Sequence, residues 1–379
     1  MKVVKVRSPF IIEVPSQGST HIGSKIILSI WNFGTSEPTN SSQAGYYELT
    51  KSIPSTTQRA TSYNVSNYVR EFINNIKATY LNYVGSDEQY NEWVNFRVKK
   101  YWYDSTTSAY ILLTNVTYLG VNGFTNYTDG YQNPSDTVMN LLTNTNINNY
   151  YYQQSTYPND KIQYVNLLID KPTATTTTLN VKYERIDGTV YSVTAGYAVG
   201  FTGLFNGSIP ISIVKVDPAF INGCKVTITY TPASGSPTIK IFYTYPIEEC
   251  KYTPVLCDFI NRYGGWQTIT FFKQQTNTVS VKGTNYKLIP SAINYNTSKG
   301  QVKSFNINGT QTVKLNTGFV DENYSELITD LLLSETVLLD GKPVTVKTQG
   351  SDLKTSLKDR LINYEIEFEY AYNLINDVV

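Results

Sequence analysis

One histidine, His21, stands in the stretch SQGSTHIGSK, and any Ser/His or Cys/His nucleophile would have to draw on it. Gly and Ser flank it on both sides and no partner motif accompanies it, so it reads as a surface-loop histidine. A zinc site needs three or four closely spaced His or Cys ligands, which this His and Cys224, Cys250 and Cys257 do not supply. Cys257 alternates with Val255 and Phe259 along a strand and reads as a buried thiol. The one concentrated set of acids is Glu365, Glu367 and Glu369. Carboxylates at i and i+2 of a strand lie about 7 Å apart, a spacing an inverting glycosidase pair can use. Three like charges in a row, without an apolar setting to raise a pKa, read instead as a solvated sheet face opposite lysines of a neighbouring strand. Neither GxxxxGK[ST] nor a GxGxxG that opens a helix is present. The residues predict no enzyme, no cofactor and no metal.

The elements that must position these residues are mostly strands. The chain has 379 residues, enough for two or three domains. Lys plus Arg is 31 and Asp plus Glu is 30, so no global field draws it to nucleic acid or an acidic surface. Polarity comes from Asn, Thr, Ser and Tyr, with Tyr outnumbering Phe 32 to 15. Tyrosine suits strands and half-wet interfaces, being a large ring with a polar edge. The N-terminus lacks a signal-peptide pattern and no run of 18 apolar residues occurs, so a membrane is not expected as a partner. The odd cysteine count argues against a disulfide framework and for folding in a reducing cytoplasm.

The expected fold is mainly β, α+β overall, in three regions. Residues 1–159 form a β-rich N-terminal domain. It has short strands at 3–5, 10–14 and 25–31 and a helix capped by Ser66 that presents Val69, Phe72, Ile73 and Ile76. In NEWVNFRVKKYWY, Val94, Phe96, Val98 and Trp102 alternate with Asn95, Arg97 and Lys99, giving a half-buried strand with a cationic outer face. AYILLTNVTYLGV is its neighbour. From 122 to 160 the chain reads as a loop rich in Tyr and Asn, with Tyr150, Tyr151, Tyr152 and Tyr157 as candidate interface residues that would equally suit sugar stacking. Residues 160–246 carry six or seven short strands with turn signals about every ten residues, the pattern of an immunoglobulin-like sandwich. Residues 247–379 form an α+β C-terminal domain. Hairpins are expected at Gly264-Gly265 and Asn308-Gly309. DENYSELITDLLLSE predicts a helix on a sheet, with Tyr324, Leu327, Ile328, Leu331 and Leu332 on one stripe. LINYEIEFEYAY predicts a strand with the three glutamates on one face.

GGWQTITFFK, together with LNTGFVDENYSELITDLLLSETVLLDGKPVTVKTQ and the residues to Asp377, resembles the C-terminal part of structural proteins from tailed phages of Bacteroidetes hosts, including crAss-like podoviruses. RSPFIIEV, IILSIWNFG, YELTKSIPS and YNVSNYVREFI are similar to the same group. The resemblance implies a virion protein of the neck or tail, assembled in the host cytoplasm. It would form a ring with copies of itself around the DNA exit channel and dock to other tail and neck proteins. In that setting Glu365, Glu367 and Glu369 would line the channel, repelling packaged double-stranded DNA that meets the lumen without sequence preference. The alternative is a receptor- or glycan-binding tail adhesin using the tyrosines.

Overall fold

The computed structural model describes residues 2–32, 35–53, 60–74, 93–137, 139–144, 149–152, 164–171, 177–187, 192–199, 203–210, 222–232, 236–247, 251–288, 298, 300–350 and 361–375. Among the described residues the chain is mainly β. It divides into two compact units: Met1–Pro246 with Ile260–Thr268, and Ile247–Phe259 with Ile269–Val379.

The first unit begins with β1 (Val3–Lys5), β2 (Ile11–Val14), β3 (His21–Trp31), β4 (Tyr46–Ser52), β5 (Thr61–Asn64), helix α1 (Ser66–Arg70), β6 (Trp93–Asp104) and β7 (Ala109–Val121). A five-stranded sheet has the order β1-β7-β6-β3-β4, and β2 pairs with β5. Alternation sets the faces. Val94, Phe96 and Val98 of β6 are buried with Ile26, Leu28 and Ile30 of β3, while Asn95, Arg97 and Lys99 lie part-exposed on the other side. Phe10, Ile12, Tyr63 and Val69 complete that core. Helix α1 is shorter than the sequence predicts, and Ser66 is its first residue, not its cap. The Ser66 hydroxyl donates to Asn64 Oδ1 at 2.7 Å, so Asn64 takes the side-chain role at this helix start. Phe72 and Ile73 still pack on the core, beyond the last turn.

The chain continues with β8 (Met139–Leu141), β9 (Asn149–Tyr152), β10 (Tyr164–Lys171), β11 (Thr177–Arg185), β12 (Ser192–Val199), β13 (Gly203–Pro210), β14 (Cys224–Thr231) and β15 (Thr238–Ile247). These build a three-stranded sheet, β13-β10-β8, and a five-stranded one, β12-β11-β14-β15-β9. Strand β14 alternates without a break, burying Cys224, Val226, Ile228 and Tyr230 and leaving Lys225, Thr227 and Thr229 part-buried on the other face. β11 pairs antiparallel with β12, and β14 with β15. The stretch from 122 to 160 is not a continuous loop. β8 pairs with β10 and β9 borders β15, so residues expected on the N-terminal side of the 159/160 boundary serve the sheets that follow it.

The next elements are β16 (Val255–Ile260), β17 (Trp266–Phe271), β18 (Thr276–Lys287), β19 (Val302–Asn316), β20 (Val320–Asp321), helix α2 (Tyr324–Leu332), β21 (Val337–Leu339), β22 (Lys342–Val346), β23 (Leu361–Ile362) and β24 (Glu365–Tyr370). A seven-stranded sheet runs β17-β16-β21-β22-β24-β19-β18. Helix α2 buries Tyr324, Leu327, Ile328 and Leu331, as its stripe predicts. The strand expected over LINYEIEFEYAY is cut in two, because at Tyr364 the chain leaves β20 for β19 while Thr317 exchanges two hydrogen bonds with the Tyr364 backbone.

Asn308-Gly309 is not a turn. It lies inside the continuous strand β19, where Gly309 sits opposite Val281. The residue with positive φ is Asn306, at 51°, and there two residues of β19 face Gly283 alone. That is a bulge, which bends and twists the ribbon instead of reversing it. The other Gly signal holds. Between β16 and β17 the Gly264 amide donates to the Asn261 carbonyl at 3.0 Å, and Gly264 takes φ +87°.

Candidate interaction surface

Hairpin tip 260–268 belongs to the first unit and is consumed there. Asn261 is fully buried. Its Nδ2 donates to the Leu142 carbonyl and to Gln267 Oε1, both at 2.7 Å, and its Oδ1 accepts from the amides of Tyr263 and Gly265. Asn166 Nδ2 donates to the Trp266 carbonyl at 2.8 Å. A Cβ on Gly265 would stand 2.5 Å from Leu142 Cβ and 2.6 Å from the Leu142 carbonyl oxygen. Gly264 is therefore required for its backbone angle and Gly265 for space. Neither offers anything to a ligand.

The three glutamates lie on one face of β24, between β19 and β22. Glu367 is opposite Lys314, Glu365 opposite Asn316, and Glu369 opposite Thr312 on one side and Thr345 on the other. Lys314 Nζ is 2.5 Å from Glu365 and Lys347 Nζ is 3.1 Å from Glu369. Hydrogen bonding and attraction from Glu365 hold the Lys314 ammonium above its usual range. The ladder is a solvated sheet face with lysine partners, and Glu365 borders an open cleft of about 380 Å³ together with Lys314 and Asn316.

Tyr150, Tyr151 and Tyr152 form most of β9, an edge strand beside β15, so they are strand residues and not a loop. Tyr157 lies outside the described residues. His21 is also misplaced by the sequence reading: it is a fully buried residue of β3, not a surface one. Its Nδ1 accepts from the Gln17 amide at 3.2 Å and its ring meets Trp102 edge-on at 5.7 Å. Gly18, at φ +102°, turns the flanking Gly/Ser segment back over it, which composition alone does not convey. Cys224 and Cys257 are fully buried, and burial pushes the Cys224 thiol up to about 11. Among the described residues no three His, Cys, Asp or Glu side chains gather as metal ligands, and no helix is long and apolar enough to cross a membrane.

The surface that stands out is a ribbon. All twelve residues of β18 are exposed, and so are residues 302–307 of its partner β19. Val279 and Val281 share one face by alternation, 55% and 65% exposed, and Ile307 stands over Gly283 on that side. Tyr286 and Phe305 meet edge-on at 5.5 Å on the opposite face, and both are exposed. β18 is the edge of its sheet among the described residues. A second apolar row, Ile239, Ile241 and Tyr243, stands on the outer face of β15. The first unit also holds an open cleft of about 660 Å³, bordered by Glu13, Lys100, Tyr118 and Tyr131.

Sequence reasoning missed the ribbon. The available signal was charge: residues 259–320 hold seven Lys or Arg and no Asp or Glu, whereas residues 321–379 hold twelve acids against five bases. No protein-family model matches the chain, and comparison with curated proteins finds no match.

Proposed function

We propose that this chain is a virion structural protein of a tailed phage, placed in the neck or tail, where copies form a ring around the DNA exit channel and dock adjacent tail components. The observation that carries the reading is the sheet surface left over after each unit has built its core. The ribbon and the outer row of β15 present Val, Ile, Tyr and Phe in strand-spaced arrays, the composition and geometry of protein–protein contacts. Such contacts need no active site, which fits the expectation that the protein is not an enzyme. A ring uses heterologous contacts, one patch meeting a different patch on the next copy, and it closes by rotation. In this reading the protein folds in the host cytoplasm and ends in the particle, and the glutamate face of β24, with Lys314 and Lys347 beside it, meets DNA weakly or not at all.

The test is imaging of purified particles together with sedimentation of the isolated protein. The expected result is a ring of this chain in the neck or tail density and a closed oligomer in solution. A chain missing from the particles would end the proposal. One observation favours the second reading, a glycan-binding adhesin: the open cleft, where Tyr118 and Tyr131 stand near Lys100 and Glu13. A glycan array with the whole protein separates the two, since the ring reading expects no signal.

A further inference from the structure

We infer that the β18–β19 ribbon is an assembly arm that docks on a second copy of this chain, on the acidic face formed by residues 319–335. The inference deepens the ring reading, on which it rests, by naming the element that joins one copy to the next. An isolated two-stranded ribbon is marginal in water, and this one exposes apolar side chains on both faces over about 40 Å of strand. At about 5 Å of width per strand, with β18 exposed over its full length and β19 over residues 302–307, each face offers about 300 Å², so covering both supplies about 600 Å² of the roughly 800 Å² per partner of a stable interface.

Charge selects the occupant. Residues 276–309 carry four lysines and no acid, and Lys282, Lys287 and Lys303 lie on the exposed strands. Nucleic acid and an acidic protein face would both answer such an arm, but its apolar residues need apolar partners, which a phosphate backbone lacks. The same unit supplies both requirements. From 321 to 341 the chain has six acids and no base. Glu322, Glu326 and Glu335 are exposed there, together with Phe319 at 64% and Leu333 at 47%. The arm does not cover this face in its own chain, because both are exposed. Basic arm onto acidic face is a head-to-tail contact, and its repetition builds a ring or a filament.

The experiment is a charge swap in the full chain, read by sedimentation velocity. One variant carries Lys282→Glu, Lys287→Glu and Lys303→Glu; the other carries Glu322→Lys, Glu326→Lys and Glu335→Lys. Wild type is expected to assemble, and more weakly as salt rises. Each variant alone should dissociate with an apparent constant at least about a hundredfold higher, because like charges then face each other. An equimolar mixture should reassemble, since each arm again meets the opposite charge. Circular dichroism confirms folding, and Val279→Ser with Val281→Ser replaces the arm variant if that one does not fold. An arm variant that assembles like wild type overturns the arm while leaving the ring reading intact. A wild-type chain that stays monomeric at every concentration and is missing from particles overturns both. Failure of the two folded variants to reassemble removes the acidic face as the receptor. Duplex DNA binding lost in the arm variant, with self-assembly unchanged, assigns the arm to nucleic acid and also overturns the inference.

Discussion

Two β-hairpins follow one another in this chain and meet opposite fates. The tip at 260–268 has no room for a single added carbon at Gly265, and four hydrogen bonds converge on the side chain of Asn261. Some ten residues later, β18 and the first part of β19 leave every side chain open to solvent. Both are short-range antiparallel structures with Gly and Asn at their irregular points. The difference lies in where the polar and apolar groups find partners. In the tip the Asn261 side chain finds all its partners inside the unit, so its residues speak of stability. In the ribbon valine, tyrosine and phenylalanine have water on both sides, so its residues speak of something outside the chain.

That contrast breaks if the tip tolerates change. Asn261→Leu should have the largest effect. It would leave the buried Leu142 carbonyl and Gly265 amide, and the part-buried Tyr263 amide, without their partner. Orphaned buried groups cost about 1–3 kcal/mol each, and partial relaxation makes about 4 kcal/mol the expected loss in urea unfolding. Gly265→Ala follows at about 2–3 kcal/mol, because the added carbon meets the Leu142 backbone, which cannot swing aside. Unchanged unfolding midpoints in both variants would mean the tip is not seated as described.

Hydrogen exchange sharpens the same comparison without mutation. Amides held inside the tip, those of Asn261, Tyr263 and Gly265, should exchange at least about a hundredfold more slowly than those of β18 in the single chain. On assembly the β18 amides should slow while the tip stays as it was. Equal protection in the dissociated chain would show that the ribbon is already covered.

Much of the fold was legible because alternation reports burial directly. β6, β14 and β24 each carry a period of two, and α2 a stripe, that only one packing satisfies. The glutamates of β24 likewise implied lysine neighbours, which Lys314 and Lys347 supply. What failed were signals whose meaning depends on distant chain. Asn308-Gly309 has turn chemistry, but β18 offers β19 a longer partner than its own two halves could, so it stays extended. Tyr150–Tyr152 read as loop because their flanks are polar, while the strand that recruits them, β15, lies nearly ninety residues later. His21 looked exposed beside Gly and Ser until Gln17 and Trp102 were placed around it. The ribbon was illegible for the complementary reason: TNTVSVKGTNYK alternates like a half-buried strand, and nothing local says that neither face has a core to join.

The smallest expected effect is therefore also informative. Val279→Ser with Val281→Ser removes two β-branched apolar side chains from a strand, a change that costs a few kcal/mol when such residues are buried. Here both are more than half exposed, so the unfolding free energy of the dissociated chain should move by no more than about 0.5 kcal/mol. The same pair of substitutions should weaken self-association, because in the joined state those side chains would be the ones leaving water. A large loss of stability in the dissociated chain would place Val279 and Val281 against a core of their own, and the two hairpins would then differ only in degree. No loss of either kind would leave the valines exposed in every state, and the ribbon would no longer stand as the element that joins one copy to the next.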